Sequence, residues 1–127
     1  MKLERLDHYG LEVNDLRRAE RFYTGVLGFN VVARFGDQVL MECGGQNLAL
    51  FGVARAPLTP AQRADLIGNP LGKGHHAFKV GRDDFAQART TLTAAGVECA
   101  PAIDWGDHDC MYFLDPDGNL LELVSYR

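Results

Sequence analysis

Apolar and polar positions along the chain follow two periods, and the same succession of periods occurs twice. Leu6 to Val13 alternates and is rich in β-formers, which predicts a strand. Asn14 and Asp15 then supply capping chemistry. Leu16, Ala19, Phe22, Tyr23, Val26 and Leu27 fall three and four apart, which predicts an amphipathic helix of about three turns. Arg17, Arg18, Glu20 and Arg21 read as its solvated face, and Gly28 ends it. Phe29 to Phe35, Gln38 to Cys43 and Asn47 to Val53 read as three strands, separated by the turn signals Gly36-Asp37 and Gly44-Gly45. The order β-α-β-β-β is complete by about residue 54.

The second half repeats that order. His75 to Val80 reads as a strand, and Asp83 or Asp84 caps a helix carrying Phe85, Ala88, Leu92 and Ala95 on its apolar side. Gly96 ends the helix. Val97 to Ala100, Cys110 to Leu114 and Leu120 to Tyr126 are expected to be strands, the last two joined by the turn Asp115-Pro116-Asp117-Gly118-Asn119. The predicted architecture is a single α+β domain over 1–127, with one βαβββ module at about 5–54, a linker at about 55–73 and a second module at about 74–127. Within the linker, Thr59 can cap a short helix with Pro60 in its first position. A connection of this length is usually functional or mobile, and it could cover a pocket or cross to a partner chain.

Composition narrows the class. A chain of 127 residues with 46% hydrophobic and 24% charged residues can bury an ordinary globular core. The net charge of −4 and the lack of a basic stripe argue against nucleic acid. No apolar run approaches the roughly 20 residues of a membrane span, and the charged start, MKLERLDHYG, lacks the apolar region of a signal peptide. Cys43, Cys99 and Cys110 are odd in number and widely spaced, so a reducing cytoplasm is expected.

Candidate chemistry comes from the repeat itself. His8-Tyr9-Gly10-Leu11-Glu12-Val13 returns 67 positions later as His75-His76-Ala77-Phe78-Lys79-Val80. Each copy has a histidine followed two places on by a small residue. Taken singly, either histidine is more often an ordinary core or surface residue. Glu122 changes that balance. It sits within Leu120-Leu121-Glu122-Leu123-Val124, where neither strand face is polar, so its carboxylate is expected to point inward. A buried charge has to be paired, hydrogen-bonded or bound to a metal. Two histidines at equivalent repeat positions and one inward carboxylate form a set that holds a divalent metal with coordination positions open.

On LDHYGLEV, DLRRAERFYTGVLGF, HHAF and FLDPDGNLLEL, the chain resembles the vicinal oxygen chelate superfamily, which includes glyoxalase I, extradiol dioxygenases and the fosfomycin- and bleomycin-resistance proteins. The resemblance spans nearly the whole chain. It implies two paired modules forming a curved mixed sheet around a metal cleft, with His8, His75 and Glu122 as ligands of manganese, iron, nickel or zinc. Its histidine pattern selects His75 over His76, and strand alternation turns His76 the other way. It also implies a homodimer in which His8 of one chain could complete the site of the other. Tyr112, ten residues before Glu122, matches a tyrosine that reaches the substrate in several family members. Its phenol could donate a hydrogen bond there, so Glu122 and Tyr112 are the expected catalytic residues.

The departures from the family pattern are equally specific. Glyoxalase I uses a fourth ligand on the last strand of module one, where this chain offers Ala49 and Phe51, with Glu42, Gln46 and Asn47 as alternatives in a shifted register. Fosfomycin thiol transferases carry a basic, serine-bearing loop where this chain has the acidic, aromatic Ala100-Pro101-Ala102-Ile103-Asp104-Trp105-Gly106-Asp107. The extradiol base is missing, since Pro60 stands where its histidine is expected, and His108 reads as a solvated loop residue. Trp105, Met111, Phe35 and Phe51 are candidates for an apolar cavity or for core, and Cys110 shares a strand face with Tyr112. The expected function is a metal-dependent enzyme (lyase, isomerase or dioxygenase-like) acting on a small oxygen-rich molecule. The alternative is a sequestering resistance protein of the bleomycin type with a vestigial metal site.

Overall fold

The first repeat folds as β1 (His8–Val13), α1 (Leu16–Gly25), β2 (Asn30–Phe35), β3 (Gln38–Cys43) and β4 (Gln46–Gly52). The computed structural model describes residues 1–127 and divides them into two compact units, Met1–Pro57 and Leu58–Arg127. In the first unit the strand order is β1-β4-β3-β2, with β1 parallel to β4 and the other pairs antiparallel. Asp15 caps α1 by accepting the Arg18 N–H at 3.0 Å. At the other end Gly28 adopts φ +76°, which lets the Phe29 N–H close on the Tyr23 carbonyl at 2.9 Å. A ten-residue helix is too short to be stable alone. Docking holds it: Ala19, Phe22 and Tyr23 are buried, as are Val13, Val39, Met41, Leu48 and Leu50 on the sheet. Alternation therefore places His8, Gly10, Leu40, Ala49 and Phe51 on the opposite face.

The second unit contains α2 (Pro60–Gly68), β5 (His76–Lys79), α3 (Arg82–Ala94), β6 (Ile103–Asp104), β7 (His108–Leu114) and β8 (Leu120–Tyr126). Its sheet order, β5-β8-β7-β6, repeats that of the first unit, and β5 is again parallel to β8. Two expectations are corrected. Neither Asp83 nor Asp84 caps α3; Gly81 is the N-cap and both carboxylates lie in the first turn, where they favour the positive end of the helix. Residues 97–100 form no named strand. Cys99 makes one isolated bridge to Phe113, and the ladder resumes only at Ile103–Asp104. Pro101 lies in the gap and has no N–H to donate to a ladder.

The linker carries structure of its own. Thr59 and Gln62 form a reciprocal capping box at the start of α2, with Pro60 in the first turn. Leu66 and Ile67 pack on the cluster of Ala100, Cys110, Tyr112, Leu114 and Leu120. Arg63 donates to Glu98 and to the carbonyls of Asp115 and Pro116, which ties α2 to the β7–β8 turn. Inside that turn the buried Asp115 carboxylate accepts the N–H groups of Asp117 and Asn119, both at 2.9 Å.

The two sheets share a register. Gly10 stands opposite Ala49, and Ala49 opposite Leu40; in the second unit Ala77 stands opposite Glu122, and Glu122 opposite Tyr112. Gly10 and Ala77 each follow a repeat histidine by two residues. Ala49 is therefore the topological counterpart of Glu122, and Leu40 that of Tyr112.

Candidate metal centre

Glu122 is only 7% exposed, on the face of β8 that also carries Leu120 and Val124. Cys110 and Tyr112 of β7 lie on the same face by register. His75, one residue before β5, presents Nε2 to Glu122 Oε2 at 3.0 Å, while its Nδ1 stands 2.8 Å from the Lys73 carbonyl oxygen. A backbone carbonyl only accepts, so Nδ1 carries a proton, and Nε2 meets the carboxylate either as a lone pair across a bound cation or as the second N–H of an imidazolium. Two lone-pair atoms at that distance need a cation or a proton between them. Donors in adjacent positions around one divalent ion, each about 2.1 Å from it, stand roughly 3 Å apart. The pair therefore fits two sites of a metal coordination shell, with the second nitrogen of the imidazole anchored in the usual way.

The groups around the pair stay protonated. Burial first, and the Glu122 charge next, push the Tyr112 phenol up to about 12. Its ring meets His75 edge-on, centroids 5.1 Å apart. The Cys110 thiol is pushed up to about 11, chiefly by burial; the Trp105 N–H opposes the shift and Glu122 adds to it. Neither group is an anion at neutral pH, and both can donate. His76 pairs with Leu121 rather than Glu122 in the register, and burial, then the neighbouring His75, lower its pKa.

His8 opens β1 in the first unit. Its Nδ1 is 2.8 Å from Asp7 Oδ2, and its side chain is 55% exposed. The hydrogen bond from His8 is the main cause holding the Asp7 carboxyl below its ordinary value. A carboxylate accepts from Nδ1, so this imidazole too presents Nε2 as its donor atom. Beside it a cavity of about 230 Å³ is lined by Phe35, Gln38, Leu40, Asn47, Ala49 and Phe51 among others. Of the alternatives for a fourth ligand, Glu42 accepts the Gly45 N–H and Gln46 donates to the Asp7 carbonyl. Asn47 stands opposite His8 and lines the cavity with Ala49 and Phe51. No group of three or more His, Cys, Asp or Glu side chains is gathered at metal-binding distances.

His108 is corrected from a loop residue to the first residue of β7. It stacks on Trp105 with centroids 6.4 Å apart and meets Tyr126 at 5.2 Å, while Nδ1 pairs with Asp107 at 2.6 Å. Trp105 Nε1 donates to Cys110 Sγ at 3.3 Å, which links this aromatic stack to the Glu122 face. Met111 is core, on the other side of the strand. Asp7 and the Lys73 carbonyl are the partners that sequence reasoning missed. Asp7 leaves a trace, as an acid directly before the first histidine; a main-chain oxygen leaves none.

Two four-stranded mixed sheets of matching order, each with a helix after its first strand, define a paired βαβββ protein with a histidine at the same place in each unit. Residues 5–123 match the Glyoxalase/Bleomycin resistance protein/Dioxygenase superfamily, and the chain belongs to it. The glutathione transferase FosA of Serratia marcescens is 31% identical over 95% of this chain and 80% of its own length. A lactoylglutathione lyase from Agrobacterium tumefaciens shares the fold with a TM-score of 0.73 at 26% identity, covering 98% of this chain and 96% of that one. FosX, a fosfomycin resistance protein from Listeria monocytogenes solved with Mn(II) and sulfate, gives a TM-score of 0.78 at 18% identity over 99% of this chain and 93% of that one.

Proposed function

We propose that the chain is a divalent-metal-dependent enzyme acting on a small molecule through two adjacent oxygens, with His75, Glu122 and His8 as the protein ligands. The observation that carries the reading is the His75 Nε2 to Glu122 Oε2 contact of 3.0 Å, with Nδ1 tied to the Lys73 carbonyl. Manganese, iron, nickel and zinc all suit two imidazoles and one carboxylate, and such an ion supplies Lewis acidity and a template for the substrate oxygens. The chain's own groups do the rest. Glu122 and the two imidazoles hold the donor set, each imidazole fixed in one tautomer by its Nδ1 partner. Tyr112 keeps its proton and donates it as a hydrogen bond to a substrate oxygen, and the apolar Leu114 and Leu120 on the same face exclude water.

A homodimer follows as part of the proposal, with His8 of one protomer serving the site of its partner. Its support in the structure is apolar surface left uncovered on the first unit, where Leu3, Leu6, Val32 and Phe35 are all more than half exposed. No helix is long and apolar enough to cross a membrane, and three unpaired cysteines suit a reducing cytoplasm.

The test is elemental analysis of Glu122→Gln purified at neutral pH beside the parent protein. The variant is expected to lose its stoichiometric metal and keep the parent's circular dichroism. Full metal retention would refute the ligand set. The second reading is a sequestering protein whose metal site is vestigial. A parent protein that neither holds a divalent metal nor takes one up on titration would establish that reading.

A further inference from the structure

Trp105 is the chain's only tryptophan, and its side chain is half exposed while its N–H points inward. An indole at a surface can leave its N–H to water, a stronger acceptor than sulfur. Here Nε1 donates instead to Sγ of the fully buried Cys110, at 3.3 Å. The Cys110 thiol in turn shares a side-chain hydrogen bond with Glu122, as Tyr112 does. A carboxylate only accepts, so the thiol donates. The result is a directed chain, from the Trp105 N–H to the Cys110 S–H to the Glu122 carboxylate. We propose that Trp105 and Cys110 are positioning residues, which hold that carboxylate in the orientation in which it serves as a metal ligand. The inference rests on the metal-dependent reading and deepens it by naming what fixes one of the ligands.

The sheet sets the parts in place. β8 lies between β5, which His75 precedes, and β7, which carries Cys110 and Tyr112. His75 therefore meets Glu122 from one side and the two β7 groups from the other. Tyr112 stands directly opposite Glu122, and Cys110, opposite Val124, is its diagonal neighbour on the same face. The last torsion of a glutamate is broad, so partners of this kind have to set the plane of the carboxylate. Hydrogen bonds in series also strengthen one another: an N–H on the sulfur makes the thiol a better donor.

The far end of the chain is held as firmly. The Trp105 backbone N–H closes on the His108 carbonyl at 2.9 Å, and the Asp104 carboxylate accepts the Gly106 N–H at 2.7 Å. Arg127 pairs with Asp104 at 3.0 Å and with Asp109 at 2.9 Å, which ties the β6–β7 turn to the end of β8. The His108 ring lies against the indole. A half-exposed ring pinned in this way presents its N–H to one acceptor, and that acceptor touches the ligand.

The test measures Mn(II) affinity of the full-length protein by calorimetry. Cys110→Val removes the thiol at similar volume and is expected to weaken Mn(II) about tenfold or more, as loss of an outer-shell partner does. Cys110→Ala serves if that variant does not fold. Cys110→Ser keeps a donor and an acceptor and is expected to stay within about threefold of the parent. Trp105→Phe is expected to weaken Mn(II) on its own and to add nothing in the Cys110→Val background. Parental affinity in a folded Cys110→Val, or equal losses in the serine and valine variants, would overturn the proposal. So would additive losses, or a sulfur-to-metal charge-transfer band on Co(II) loading, which would make Cys110 a ligand. If the parent binds no Mn(II), the metal reading fails on its own. The hydrogen-bond chain is then judged in the metal-free protein by the infrared S–H band that Cys110→Ser removes. A band that rises in frequency in Glu122→Gln and moves in Trp105→Phe supports the chain; an unmoved band overturns it.

Discussion

Tyr112 shows how one residue couples the site to pH. Burial and the nearby Glu122 carboxylate raise its phenol from the ordinary 10.0 to about 12. The fold therefore favours the protonated form. That contribution is complete below pH 10 and is lost as pH rises from about 10 towards 12, because the unfolded phenol ionises first. Stability measured by urea unfolding is expected to fall across that window, and Tyr112→Phe to fall less steeply; parallel curves would show that Tyr112 does not titrate this way. Tyr9 is also pushed up to about 12 by burial, so some decline persists in the variant. At this scale Glu122 was legible, since a lone carboxylate in an apolar strand has few explanations. The choice of His75 over His76 came from the family pattern, and alternation added only that the two neighbours face opposite ways. The Nδ1 anchors were not, because a hydrogen bond to a carbonyl depends on where the chain bends before β5 and not on which residues it contains.

Among the elements, α2 decides most. It is the piece of the linker that packs over Leu114 and Leu120 and braces the β7–β8 turn through Arg63. Its start was readable from Thr59 as cap and Pro60 in the first position; its docking partner was not, since Arg63 and Asp115 are 52 residues apart. Thr59→Ala removes the side-chain acceptor for the Gln62 N–H and is expected to cost about 1 kcal/mol in urea unfolding. Gly118→Ala is expected to cost more. Its φ is +85°, which strains any residue with a Cβ, and that Cβ would come within 2.4 Å of Leu58 Cδ1, so the Leu58 side chain ahead of α2 would have to move as well. A melting temperature within a degree of the parent's would show that this brace contributes nothing. The expected strand at 97–100 failed for a local reason, a proline without a donor one residue on.

For the whole molecule the question is which chains supply one site. If His8 serves the partner, mixed dimers of His8→Ala and Glu122→Gln contain one intact donor set although neither parent variant has any. Refolding the two variants together in equal amounts is expected to restore roughly a quarter of the parental metal content. Restoration of none, in a protein that scattering shows to be dimeric, would place all three ligands on a single chain. Either outcome leaves the doubled register intact, since pairing order and histidine position agree in the two units independently.

Local periodicity determined much of this protein before any contact was known. Alternation and three-to-four spacing are properties of neighbouring residues, so the doubled β-α-β-β-β order, the equivalence of His8 and His75 and the inward Glu122 could all be read along the chain. What only the tertiary structure decided is which strands lie side by side and in what register. That pairing set the His75 nitrogen against Glu122 and made Ala49 its counterpart in the first sheet. It also opened a cavity where the second sheet holds a carboxylate. Strands far apart in sequence carry no local signal of the register in which they meet.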